Sequence, residues 1–329
     1  MAGHLLIIGG GLRADNEAVY GTFTELAGGP DARIGVFPTA SRSLESSRRV
    51  QAVLEGYGAG DVRIVEDPES EWDRECTGLF FVGGDQLRIM AAFSKKAVER
   101  LQAFYQRGGV IAGSSAGAAV QSRVMIAADG TPLDVLDGQG LIVSKGFGLF
   151  TAGIIDQHFN TYMGRHARLA CALRETGVPL GFGIDENTAL WVHGEVAEVV
   201  GASGVTVMEG KRLNYLESGD SYDLAKGTYS FHPQKSLIRI PFYNGNIMIG
   251  DLAQTNAFTR AITTDLVDNT ASVQKGLLLR YEDGVGHGYQ ITFSKTECTQ
   301  GYHGIVNGVD SYAVRNVRMD VEPVRVSLH

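Results

Sequence analysis

The chain has 329 residues, 44% of them hydrophobic and 20% charged, with a formal net charge of −8. That is the composition of an ordinary globular protein, long enough for one large α/β domain plus an extension or for two domains. The acidic balance disfavours nucleic acid as a partner, and the apolar run in "MAGHLLIIGGG" is short and lacks a basic flank, so no signal peptide, membrane span or membrane partner is expected and the protein is read as cytoplasmic.

In chain order, "HLLIIGG" reads as a first strand, followed by a helix over residues 16–26, the strand "RIGVFPTA", a helix over 44–57, and the strands "VRIVE" and "GLFFVGGD". A helix over 97–106 leads to "GVIAG", a helix opening at Ala116, the strand "AGIIDQHF", a helix over 162–175 and the strand "LGFGIDENTALWV". Aliphatic runs alternating with helical stretches predict a mostly parallel sheet covered on both faces, a three-layer α/β/α arrangement. After about Gly210 helical periodicity thins. "SLIRIPFY", "GYQITFSK" and "VRNVRMDVEPVRV" read as strands, the last with Val317, Met319 and Val321 alternating against charged neighbours. The expected division is a catalytic unit over 1–210 and an extension over 211–329 packed on it, β-rich from about 230.

The strand-like runs stop at small or polar residues: 9–11, 39–41, 83–86, 114–117, 156–158 and 185–187. In open α/β sheets such C-terminal strand ends face the ligand crevice, so these clusters predict a single site. "GGGLRA" satisfies Gly-x-Gly-x-x-Ala through Gly9, Gly11 and Ala14, but the next strand ends "FPTAS" with no acidic residue for a ribose. A tight turn beside another kind of site is the preferred reading.

"GGVIAGSSAGAAV" places Gly113, Ser115 and Gly117 in Gly-x-Ser-x-Gly spacing, with a strand before and an Ala-rich helix start after, as a nucleophile elbow requires. Ser115 is the candidate nucleophile, with the N–H of Ala116 at a helix start available to an oxyanion. The candidate base is His158, which ends an apolar strand and is expected at the same sheet edge; His193 reads as part of a hairpin on the far side and His166 as a helix-surface residue. Glu186 in "GIDENTA" is the preferred carboxylate for orienting that histidine, with Asp185, Asp156, Asp129 and Asp134 as competitors. "FFVGGDQ" is either a second oxyanion element, with Gly83 and Gly84 allowing close backbone approach and Asp85 and Gln86 offering contacts, or a simple strand-to-helix turn. Cys76, Cys171 and Cys298 are widely spaced and odd in number, which fits reduced thiols, and the eight histidines contain no His-x-x-x-His pair. No metal and no other cofactor is expected.

Taken together, "GGG", "FFVGGDQ", "GSSAGAA", "DQHF" with "GRHARL", and "GFGIDENTAL" make residues 4 to 200 resemble the cyanophycinase family of serine peptidases, which includes aspartyl dipeptidases. The resemblance implies a class I glutamine amidotransferase-like, flavodoxin-like fold. It implies Ser115 as nucleophile, His158 as general base, Glu186 as orienting acid, Gly84 and Ala116 as oxyanion donors, Gln86, Asp156 and Gln157 as substrate contacts, and a homodimer. In the family pattern the histidine is followed by Phe-x-x-Arg-x-Arg-x-x-Arg-Leu, whereas this chain reads "HFNTYMGRHARL", one residue longer. Arg165 and Arg168 match the last two arginines and are expected to hold substrate carboxylates. The first is missing, with Tyr162 or Met163 in its neighbourhood. If that arginine pairs with a carboxylate, its loss removes a contact worth roughly 1.5–3 kcal/mol.

The expected activity is therefore that of a serine exopeptidase for aspartyl or β-aspartyl bonds, with the arginine-rich polymer cyanophycin as first candidate substrate and β-Asp-Arg dipeptides as product. Two rivals stand beside it: a dipeptidase or isoaspartyl peptidase for other short peptides, and a catalytically silent binding protein on the same scaffold.

Overall fold

The computed structural model describes residues 2–327 apart from 129–130, 162–164, 246–248, 253 and 284. The strand His4–Ile8 lies inside a nine-stranded sheet, and Leu5 to Ile8 are all fully buried, as an uninterrupted apolar run covered on both faces should be. On one side of it Val110–Ser114, Gly78–Phe81, Arg33–Phe37 and Asp61–Ile64 follow in parallel. On the other side Thr188–His193, Val196–Gly201, Ser221–Asp223 and Thr228–Ser230 continue the sheet antiparallel.

Helix Glu17–Leu26, capped by the Asn16 side chain, packs on His4–Ile8, Gly78–Phe81 and Val110–Ser114. Helix Glu45–Gly56 covers Arg33–Phe37 and Asp61–Ile64, and Ser94 caps helix Lys95–Gln106. These elements fall within a few residues of their expected positions because strand and helix periods are local properties of the chain.

Two expectations about the sheet need correction. Ile154–Gln157 and Leu180–Ile184 pair in parallel with each other but enter a second, ten-stranded sheet through Gly204–Glu209. "LGFGIDENTALWV" is not one strand but two, and the chain crosses from the second sheet to the first between Leu180–Ile184 and Thr188–His193. His158 and Ser115 therefore follow strands of different sheets.

Arg212–Glu217 pairs with both Gly204–Glu209 and Val309–Ser327, so the second sheet runs unbroken across position 210. Val273–Glu282, Val285–Ser294 and Gln300–Val306 extend it, while "SLIRIPFY" contributes only Ser236–Leu237. Within Val309–Ser327, Val317 and Met319 are buried and Val321 half-buried. They join a second apolar core built from Phe159, Leu169, Phe258, Ile262 and Phe293. No helix of the described residues is long and apolar enough to cross a membrane.

Candidate active site

Ser115 sits between strand Val110–Ser114 and the short helix Ala116–Ala119 with φ 55° and ψ −112°. A Cβ on Gly113 would collide with the carbonyl oxygen of Gly117, and one on Gly117 with that of Phe81. The Gly-x-Ser-x-Gly spacing is thus required by backbone contact as well as by exposure of the hydroxyl. The Ser115 N–H donates to the Ile8 carbonyl at 3.0 Å, tying the elbow to the strand His4–Ile8. Ala116 opens its helix, and a first-turn N–H has no intrahelical acceptor.

Ser115 Oγ lies 2.9 Å from His158 Nε2, and His158 Nδ1 lies 2.5 Å from Glu186 Oε1. His158 ends the Ile154–Gln157 strand and Glu186 stands at the crossover between the sheets, so the contact between them joins the two layers. The glycines of "GGG" seat this pair. The Gly9 carbonyl accepts the His158 N–H at 2.6 Å and the Gly10 carbonyl accepts the Asn187 N–H at 2.8 Å. A Cβ on Gly10 would come 2.3 Å from His158 Cε1 and Nε2, and one on Gly11 would come 2.7 Å from Glu186 Cδ. Ser115, His158 and Asn187 have φ of 55°, 51° and 56°, a region that side chains enter only at a cost repaid elsewhere.

Burial holds the His158 imidazole below its ordinary value of 6.5, with the Arg165 charge adding to the effect and the hydrogen bond and charge of Glu186 opposing it. The ring is neutral at neutral pH and able to take a proton from a hydroxyl. Among the competing acids, Asp185 is buried and accepts from Ser203 Oγ at 2.7 Å and Asn160 Nδ2 at 2.9 Å, while Asp134 caps Pro132–Leu136 and pairs with Arg280 at 2.9 Å. The carboxylate on His158 is that of Glu186. Asp129, Tyr162 and Met163 lie outside the described residues.

Gln157 joins the site, its side-chain amide lying 3.3 Å from Ser115 Oγ. The Gly83–Gly84 turn lies beside the serine: a Cβ on Gly83 would come 3.2 Å from Ser115 Cβ, and one on Gly84, which holds φ 146°, would come 2.4 Å from the Ala40 carbonyl oxygen. Asp85 and Gln86 carry turn duties. Asp85 Oδ1 accepts the Leu87 N–H at 2.8 Å, and Gln86 Nε2 donates to the carbonyls of Ile126 and Ala127, each at 3.0 Å.

Asp156 and Arg168, expected against substrate, face each other instead. Asp156 is 1% exposed, Arg168 is 6% exposed, and Arg168 Nε donates to Asp156 Oδ2 at 2.8 Å. The Arg168 guanidinium offsets the cost of burying that carboxylate. Arg165 Nη1 donates to the Gln157 carbonyl at 2.6 Å and reaches Asp156 Oδ1 at 3.4 Å.

His166 is also corrected. It is buried rather than on a helix surface, with Nε2 2.9 Å from Asn160 Oδ1 and its ring stacked on Phe258 at 3.4 Å between centroids. His193 ends strand Thr188–His193 at its hairpin with Val196–Gly201, as expected. Asn160 is the residue sequence reasoning missed. Its only signal was a polar amide two positions after His158 in "DQHFN".

Residues 5–200 match Peptidase family S51. Several curated relatives carry the name cyanophycinase. The protein from Geminocystis herdmanii (strain PCC 6308) is 34% identical over 231 residues, covering 65% of this chain and 84% of its own. That from Trichormus variabilis (strain ATCC 29413 / PCC 7937) is 33% identical over 227 residues, covering 64% and 75%. A crystal structure of a peptidase from an acI-B1 Actinobacterium shares the fold, with a TM-score of 0.56 at 22% identity over 68% of this chain and 97% of that one.

Proposed function

Because the chain belongs to Peptidase family S51, we propose that Ser115, His158 and Glu186 form the catalytic array of a serine exopeptidase that cleaves (β-)aspartyl bonds, with cyanophycin as substrate. The observation that carries the reading is the unbroken path Oγ to Nε2, Nδ1 to Oε1, at 2.9 and 2.5 Å. Ser115 Oγ attacks the carbonyl carbon as His158 Nε2 takes its proton, and Glu186 stabilises the resulting imidazolium. The N–H groups of Ala116 and Gly84 bear the oxyanion. The intermediate collapses, the C–N bond breaks, and His158 protonates the leaving amine. Water then attacks the acyl-enzyme by the same route, releasing the acid and restoring Ser115.

The named relatives support this substrate, and Asp85, exposed next to the Gly83–Gly84 turn, offers a carboxylate to a cationic side chain. The one-residue-longer spacing after His158 favours a second reading, in which arginine-free aspartyl dipeptides are the better substrates. A cytoplasmic location accords with Cys298, a free thiol at the surface.

Mass spectrometry of cyanophycin incubated with wild type and with Ser115→Ala decides between them. Release of β-Asp-Arg by wild type alone is the expected result. No release by the folded wild type retires the polymer, and release by both proteins removes Ser115 from its role.

A further inference from the structure

Asn160 stands two residues after His158 and is 6% exposed. Both donors of its amide and one lone pair of its oxygen are engaged. Nδ2 donates to Asp185 Oδ2 at 2.9 Å and to Thr259 Oγ1 at 2.6 Å, and Oδ1 receives the Nε2–H of His166 at 2.9 Å. Burial pushes the His166 imidazole down to about 3, so the ring is neutral, and because Oδ1 can only accept, the Nε2 facing it carries the one proton. Asp185 immediately precedes Glu186. Asn160 is therefore a strut between the segments that present the two halves of the His158–Glu186 contact.

One end of that strut belongs to the C-terminal part of the chain. The Asn256 N–H donates to the Asn160 carbonyl at 3.2 Å, and helix Ala257–Ile262 brings Thr259 to the Asn160 amide and Phe258 onto the His166 ring. Phe159 and Leu169 share an apolar core with Ala257, Phe258, Ala261 and Ile262. The family match ends at residue 200, so this brace comes from outside the region common to the family.

We infer that Thr259 is a positioning residue for the reaction: through Asn160 it holds the His158 and Glu186 segments in register, which makes residues 256–262 part of the working site. The inference rests on the roles proposed for Ser115, His158 and Glu186. A buried amide that loses one partner is left with an unmet donor and rotates to satisfy it, and small misplacements of reacting groups are costly.

The test compares Thr259→Val, which keeps the shape and removes the hydroxyl, with Thr259→Ser, which restores it. Two readouts are needed: steady-state kinetics, and the NMR resonance of the His158 ring protons without substrate. Thr259→Val is expected to lower kcat roughly tenfold or more with KM within about twofold, and to move the His158 resonance, while Thr259→Ser returns both towards wild type. A folded Thr259→Val with wild-type kcat and an unmoved resonance overturns the inference, as does a loss that Thr259→Ser shares in full. If Thr259→Val does not fold, Phe258→Leu is read by the same criteria, because it loosens the same helix from His166. The resonance needs no turnover, so an inactive wild type would refute the peptidase reading while leaving this inference decidable.

Discussion

Gly10 and His158 approach so closely that a Cβ on Gly10 would come 2.3 Å from the imidazole Cε1 and Nε2, and Gly10 also holds φ at 102°. Gly10→Ala should therefore displace His158 while leaving the distant core packed. The expected outcome is a roughly hundredfold fall in kcat/KM with the far-UV spectrum unchanged. Wild-type kinetics from this variant would show that His158 is not seated by Gly10.

The pH profile carries a sign that follows from burial. The His158 imidazole is held below 6.5, and the reaction needs it neutral, so kcat/KM should fall with acid through a midpoint below 6.5. Glu186→Gln removes the charge that raises this value and turns a charge-assisted hydrogen bond into a neutral one. The acid midpoint should move still lower while kcat drops about 10²- to 10⁴-fold, because the amide neither stabilises the imidazolium nor fixes the ring tautomer as the carboxylate does. An upward shift of the midpoint would refute the arrangement.

Asp185 predicts a pH dependence of stability. Burial pushes its carboxyl up to about 6 from 3.8, so the folded chain holds the proton more tightly than the unfolded one. The cost of the buried charge is present above pH 6 and is relieved as pH falls from 6 towards 3.8. Relative to Asp185→Asn, wild type should gain up to about 3 kcal/mol between pH 7 and pH 4, measured by urea unfolding at each pH. A difference independent of pH would contradict this.

Lys235 and Asp220 form an ion pair at 2.6 Å whose side chains are both fully buried. Replacing Lys235 by Met strands the carboxylate, which should cost about 3–5 kcal/mol of unfolding free energy. Adding Asp220→Asn should return part of that loss, because an amide needs no cation. Chemical denaturation of the three proteins measures both effects.

What was legible in the chain was whatever depends on a few neighbouring residues. The Ser115 elbow needs Gly113 and Gly117 beside it, and helix Glu17–Leu26 needs its Asn16 cap; both requirements lie within a few positions and show in the string. The strand ends that bear His158 and Glu186 were visible for the same reason.

Pairings across the chain were not legible in the same way. The use of "GGG" as the seat of His158 depends on a contact spanning 148 positions by residue number, from Gly10 to His158. Arg168 matched a family arginine, but its partner was decided by the depth at which Asp156 is buried. His166 read as surface because its neighbours are polar, and helix Ala257–Ile262 covers it.

The sequence by itself determined the elbow, the strand ends and the residue types that can transfer a proton, since backbone conformation and side-chain chemistry are local. Only the tertiary structure decided that two sheets, not one edge, meet at the site, and that Asn160 is braced from the C-terminal part of the chain. Sheet membership and buried hydrogen bonds are settled by packing over the whole molecule, where each polar group must find its partner wherever the fold has carried it.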